Sequence, residues 1–246
     1  MKSSRRSKRL SRMKNDAIGR KRNMTRMRIT RGNIAEAKTE AIVNAANNGL
    51  HEGAGVCGAI FGAVRRAGGH AQLTAACREI RHCPTGDAVI TPSFGLEAPW
   101  IIHAVGPVWH GHRHSVPKAL DATAVTQLHE LAAAYRAVLR VCRDNGVRSV
   151  TIPGISTGIY GLPKELGSAI AVSVCGAEAG EIEVDLVAYD EDSFNVLQAA
   201  PSAQALDLLA DTGILDRRLS ETTNKREGEK HGKFTGTRRD LLDRGD

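Results

Sequence analysis

Two glycine-rich stretches hold most of the residues in this chain whose types and spacing could do chemistry. The first, "NAANNGLHEGAGVCGAIF" (44–61), sets Gly53, Gly55 and Gly58 in a G-x-G-x-x-G spacing and places Cys57 inside it. The second, "PGISTGIYGLP" (153–163), offers Gly154, Gly158 and Gly161 together with the hydroxyls of Ser156, Thr157 and Tyr160. Successive backbone N–H groups near a helix start form a concavity that suits an anion, and glycine allows a ligand to approach the backbone closely. Two such loops can grip a diphosphate from two sides. Neither contains Lys or Arg, so an anion held there would rest on N–H groups and dipoles.

Other chemistries fit less well. A dinucleotide fold wants a tight turn from strand to first glycine and an acidic residue about twenty positions on, at the end of the next strand. Here the polar stretch from Asn47 to Gly53 intervenes, and the later region is the helical "AQLTAACREI". No glycine run ends in Gly-Lys-Ser/Thr, which excludes a P-loop. A helix start can lower a thiol pKa, but covalent catalysis by Cys57 needs a base within reach, and none is identified beside it in the sequence. The expected role of Cys57 is a small apolar wall.

The elements that must carry these loops read as α/β. "MRITRG" alternates as a strand, and "TEAIVNAA" is a compact apolar strand running into the first loop. "VCGAIFGAVRRAG" has helical spacing at Val56, Ile60 and Val64, and "AQLTAACREI" is a second helix. "DAVITPSF" and "WIIHAVG" are strands. A long helix carries Leu128, Leu131, Tyr135 and Leu139 on one stripe and stops at Asn145-Gly146. "RSVTIPGI" is a central strand running into the second loop, followed by a helix with Pro163 as an early residue. "IEVDLVAYD" is a last strand and "EDSFNVLQAA" a closing helix. Strands alternating with helices predict a mostly parallel sheet covered on both faces.

Charge divides the chain into three. The formal net charge of +7 resolves into +11 for residues 1–28, +3 for 217–246 and −7 for 29–216. The expected folded domain is 27–200. It follows a basic disordered tail, 1–26, and precedes a charged extension, 201–246, with a short helix and then mostly disorder. The basic tail could touch a polyanion weakly. The acidic body, without interleaved basic and aromatic residues, does not suggest a nucleic-acid surface. No apolar run is long enough for a membrane span, and the basic N-terminus lacks the apolar core of a secretory signal. The five cysteines, Cys57, Cys77, Cys83, Cys142 and Cys175, are widely spaced and form no C-x-x-C or zinc pattern. A reduced, cytoplasmic chain is expected. The "HGHRH" run (His110, His112, His114) is expected to be a solvated loop, and His103 a satisfied histidine at a strand end; no metal and no cofactor are expected.

Four segments in order, "RGNI" (31–34), "AIVNAANNGLHEGAGVCGAIF" (41–61), "CPTGDAVIT…IIHAVGP" (83–107) and "IPGISTGIYGLP" (152–163), resemble the macro domain family. The resemblance spans roughly residues 27–200. It implies a three-layer α/β/α sandwich around a mixed, mostly parallel sheet, a cleft for ADP-ribose and, in many members, hydrolysis of ADP-ribosyl esters. By position, Asn33 takes the place of a family carboxylate on the adenine amino group, with Ile34 after it. Phe194 lies where an aromatic often covers the adenine. Asn44 and Asn47 match the two Asn of "NAAN", Asn47 being the one at the distal ribose and Asn44 a loop-shaping residue. Gly53, Gly55, Val56, Ser156, Thr157, Gly158, Ile159 and Tyr160 would line the diphosphate and distal ribose.

Many hydrolytic members carry Asp where this chain has Cys57. The "GVC" text resembles macro domains of positive-strand RNA viruses, a class implied to remove mono-ADP-ribose despite the cysteine. The resemblance therefore implies substrate-assisted hydrolysis of acyl-linked ADP-ribose, such as O-acetyl-ADP-ribose or mono-ADP-ribosyl Asp/Glu on proteins, with a non-catalytic ADP-ribose reader as the alternative. The expected partners are ADP-ribose or ADP-ribosylated proteins. The expected state is a monomer, because the site fits within one chain.

Overall fold

The computed structural model describes residues 27–199 and 201–214. The expectations for the basic tail, 1–26, and for the chain beyond 214 lie outside them. Six strands form one sheet: β1 (Met27–Arg31), β2 (Ala41–Ala45), β3 (Ala88–Pro92), β4 (Trp100–Ala104), β5 (Ser149–Pro153) and β6 (Glu183–Ala188). Their order across the sheet is β1-β6-β5-β2-β4-β3. All pairings are parallel except β3 with β4, which a short turn segment joins as antiparallel neighbours. This is the mixed, mostly parallel sheet expected, with β5 and β2 at its centre.

Six α-helices cover the sheet: α1 (Val56–Arg66), α2 (His70–Ile80), α3 (Ala122–Asp144), α4 (Lys164–Glu178), α5 (Glu191–Gln198) and α6 (Ala203–Ala210). The period-two alternation of the strands feeds two separate cores. Ala41 and Val43 of β2 and Ile102 and Ala104 of β4 face α3 and α4, together with Leu128, Leu131, Tyr135 and Leu139. Ile42 and Ala46, with Ile101 and Val105, face the other way onto Ile60, Phe61 and Val64 of α1 and Leu73 of α2. Three layers follow from that alternation. Ala205 and Leu209 of α6 and Ile214 are buried in the first core.

Local signals set the helix ends. Asp121 caps α3 by accepting from Ala124 N at 2.7 Å, and Gly146, at φ 68°, turns the chain after it. Asp190 caps α5 and Ser202 caps α6 in the same way. Pro163 is not inside α4 as the sequence suggests. It stands just before it with ψ 125°, so the first helical residue is Lys164. The helices that follow the two glycine loops, α1 and α4, begin without a capping side chain.

Candidate functional site: a groove along the carboxyl edge of the sheet

Parallel pairing brings four chain segments out on one edge. Reading across β1, β6, β5 and β2, these are the turn at Asn33, Tyr189, the loop 154–162 and the loop 46–55. Three inter-strand spacings of about 4.8 Å each give a row of roughly 14 Å, and ligands bind open α/β sheets along such an edge. The small pocket under the second loop, lined by Tyr135, Ile152, Gly154, Thr157 and Leu197, is only about 20 Å³. It has room for one water. The candidate site is therefore the edge itself, where both glycine loops stand.

The two glycine loops meet across this groove. Gly55 starts α1 at φ 62°, and a Cβ built on it would stand 3.6 Å from Ile159 Cδ1. The N–H groups of Ala54, Gly55, Val56 and Cys57, and of Ser156 through Tyr160, have no acceptor among the described residues. Ala54, Gly55, Gly158 and Ile159 are exposed, whereas Val56, Cys57, Ser156, Thr157 and Tyr160 are buried or half-buried, and N–H groups of the latter kind call for an acceptor from outside. The Gly53 N–H is different: it donates to Cys57 Sγ at 3.3 Å and is not free for an anion. Gly58 lets the loop fold back on α1, since a Cβ there would lie 2.7 Å from the Gly53 carbonyl oxygen.

Each sequence-derived residue takes a definite place. Asn47 is half-buried, and its amide is bonded to the His51 backbone: Nδ2 donates to the carbonyl at 2.8 Å and Oδ1 accepts from the N–H at 3.1 Å. One amide proton and one lone pair remain. Asn44 is not a loop residue. It sits in β2 and is buried, with Nδ2 3.1 Å from His103 Nδ1. With the amide donating, the His103 proton is on Nε2, which donates to Thr91 Oγ1 at 2.9 Å. His103 is therefore a core histidine with both ring nitrogens engaged, and burial pushes its pKa down to about 4.

Cys57 is 4% exposed, and burial pushes its thiol pKa up; the N–H of Gly53 and the Asn44 amide act in the opposite direction and do not outweigh burial. A helix start thus does not make this thiol reactive. A histidine does stand close in sequence, contrary to the reading above: His51 is six residues before Cys57. Its carbonyl oxygen, not its ring, faces the sulfur, at 3.8 Å.

In the second loop Ser156 takes φ 64° and is buried, and its Oγ has no partner among the described residues. Thr157 turns its side chain inward: Cβ atoms at Gly154 and Gly167 would lie 2.5 Å from its Oγ1 and Cγ2. Gly158 faces open space, Ile159 is 56% exposed, and Tyr160 is half-buried with its hydroxyl pKa raised by burial and then by the nearby Cys57. At the far end Asn33 caps a 3-10 turn (Ile34–Glu36), accepting from Ala35 N at 3.1 Å and donating to Glu36 at 2.8 Å. Ile34 packs into the core under α1, and Val56 is half-buried at the start of that helix.

Phe194 is half-buried on α5. The aromatic that stands free at the groove is Tyr189, 82% exposed and next to Ala188, whose carbonyl accepts from Gly32 N at 2.9 Å. The sequence held a signal for it, an aromatic at the carboxyl end of an apolar strand in "LVAYD". It held none for Arg113, which reaches the Ile159 carbonyl across 46 residues. Among the described residues no cluster of His, Cys, Asp and Glu could hold a metal, the "HGHRH" run included, and no helix is long and apolar enough to cross a membrane.

A three-layer α/β/α sandwich with facing glycine loops at the carboxyl edge defines a class of nucleotide-groove proteins. Comparison with known proteins narrows the class. The Macro domain family model matches residues 43–171. The chain is 40% identical over 181 residues to O-acetyl-ADP-ribose deacetylase 1 of Pantoea vagans, covering 70% of this chain and 96% of that one. The Oceanobacillus iheyensis macrodomain with ADP superposes with a TM-score of 0.59 at 32% identity, covering 75% of this chain and 92% of that one. The Trypanosoma brucei macrodomain in complex with ADP-ribose superposes at 0.57 with 28% identity, covering 70% and 67%. This chain belongs to the macro domain family.

Proposed function

We propose that the protein binds ADP-ribose in the carboxyl-edge groove and hydrolyses acyl-linked ADP-ribose, the substrates being O-acetyl-ADP-ribose or mono-ADP-ribosyl Asp/Glu on proteins. The observation that carries the reading is the pair of facing loops with nine N–H groups unpaired among the described residues. Their spacing suits a diphosphate, and their position between Tyr189 and Asn47 leaves an aromatic face for a base at one end and an amide for ribose hydroxyls at the other. The relatives support the same chemistry: one carries the name of an O-acetyl-ADP-ribose deacetylase, and solved relatives hold ADP or ADP-ribose.

In this reading Asn33 meets the adenine edge with its second carbonyl lone pair, and Tyr189, rather than Phe194, stacks on the ring. The diphosphate bends between the loops and orients a water toward the anomeric carbon or the ester carbonyl. Asn47 holds the distal ribose with its remaining proton and lone pair. Positioning of this kind lowers a barrier by several kcal/mol, on the order of what effective molarities allow, and fixed dipoles at the developing charge add to it. In attack at the anomeric carbon the bond to the acyl oxygen breaks and a carboxylate leaves, which needs little help from an acid. In attack at an ester carbonyl the ribose oxygen leaves and takes up the proton that the water gives to the diphosphate, so neither route requires Asp at position 57. Cys57, held protonated by burial, is a wall of the pocket and not a base.

A second reading has its own observation. Position 57 lacks a carboxylate and half of the Asn47 amide is engaged by His51, which suits a module that holds ADP-ribose without cutting it. The deciding experiment follows release of free ADP-ribose from a mono-ADP-ribosylated glutamate substrate, with calorimetric titration of ADP-ribose on the same preparation. Release with binding supports the hydrolase; binding without release makes the protein a reader; neither overturns the groove assignment. On either reading we take the working unit to be a monomer, with a weak polyanion contact proposed for the basic sequence of residues 1–26.

A further inference from the structure

The segment 109–114 grips the second glycine loop by three consecutive carbonyls. Trp109 N donates to the Tyr160 carbonyl at 2.9 Å and His114 N donates to that of Gly161 at 2.8 Å. The third bond, to the Ile159 carbonyl, comes from the Arg113 guanidinium. The first two are backbone bonds that many sequences could make. The third depends on the side chain at 113. Gly161 accommodates it: at φ 76° it has no side chain, and a Cβ there would stand 3.1 Å from Arg113 Cγ. Among the described residues the hydrogen bond that the Arg113 guanidinium makes is to the Ile159 carbonyl.

A trans peptide unit is planar, with its C=O and N–H pointing in opposite directions. Fixing the Ile159 carbonyl therefore fixes the Tyr160 N–H, which belongs to the same unit and points away from Arg113. That N–H has no acceptor among the described residues, whereas the next two along are used inside the loop: Gly161 N donates to Gly158 O and Leu162 N to Ser156 O, both at 3.0 Å. We propose that Arg113 is a positioning residue for anion binding: by holding the Ile159–Tyr160 peptide it presents the Tyr160 N–H to the diphosphate, and its charge lies behind the same unit. This rests on the groove reading given above. It also answers how loops without Lys or Arg hold a dianion, since the cation comes from a segment that sequence alone leaves as a solvated histidine loop.

The test uses the full chain and two probes, ADP-ribose and adenosine, which share the base and first ribose and differ in the diphosphate. For Arg113→Ala, ADP-ribose affinity falls by about tenfold, the scale of one charge-assisted hydrogen bond, while adenosine affinity is unchanged. Arg113→Lys recovers part of the loss. In the wild type the Tyr160 amide signal shifts on adding ADP-ribose and not on adding adenosine. Equal losses for both probes, or no loss, would overturn the inference and leave the groove reading standing. A wild-type protein that binds neither probe would remove both.

Discussion

The Asn47 amide and the His51 backbone are bonded twice, Nδ2 to the carbonyl at 2.8 Å and the N–H to Oδ1 at 3.1 Å. One residue thus shapes the first loop and offers its remaining proton and lone pair to a ligand. Asn47→Ala removes both functions. We expect a stability loss of about 1 kcal/mol from two partly exposed hydrogen bonds, faster amide exchange at His51, and ADP-ribose release reduced by at least about tenfold through lost positioning. Release at the wild-type rate would remove Asn47 from the chemistry.

All five cysteines are free and buried, and burial raises the thiol pKa of Cys57 and pushes those of Cys77 and Cys83 to about 11 and of Cys142 and Cys175 to about 12. Ellman's reagent at neutral pH should find no fast-reacting thiol in the native protein and five after denaturation. Cys57→Ser should keep most of the turnover, because neither side chain is ionised. A fast thiol lost in that variant, together with lost turnover, would revive nucleophilic catalysis.

Acid should destabilise the fold through His103. Its folded pKa, about 4, lies below the ordinary 6.5, so between those values the unfolded chain binds the extra proton. Stability is full above about pH 6.5 and falls as pH drops toward 4, by about 3 kcal/mol in all. His103→Gln, which keeps a donor for Thr91, should flatten that part of the curve in urea melts at pH 7.5 and 5. An unchanged slope would place the acid sensitivity elsewhere.

Two glycines near the second loop should behave oppositely. A Cβ at Gly106 would stand 2.2 Å from Ser156 Oγ and 2.5 Å from Ile155 Cγ2, whereas one at Gly158 meets nothing within 4 Å. Gly106→Ala should cost about 2 kcal/mol by overpacking and weaken ADP-ribose binding by displacing Ser156. Gly158→Ala should fold within about 0.5 kcal/mol of the wild type. Thermal melts of the pair decide it.

The two aromatics at the adenine end separate stability from binding. Tyr189→Ala, at an exposed ring, should leave the melting temperature alone and weaken adenosine and ADP-ribose by about 1–3 kcal/mol, the scale of one stacked base. Phe194→Ala, on α5, should lower the melting temperature and affect binding less. The reverse pattern would return the adenine to Phe194.

What the sequence determined by itself was local. Compact apolar runs in "AIVNAA" and "VTIPGI" marked the central strands, 3.6-residue spacing marked α1 and α3, and the glycine runs marked the loops, because periodicity and backbone freedom act over a few residues. What only the tertiary structure decided lies between residues far apart. The order β1-β6-β5-β2 lines up Asn33, Tyr189 and the two loops on one edge. Asn44 meets a histidine 59 positions away, which turns a supposed loop residue into a core one. Arg113 completes a loop 46 positions on. Those pairings depend on which strands become neighbours when two helical layers bury the faces of one sheet, and no local pattern encodes that choice.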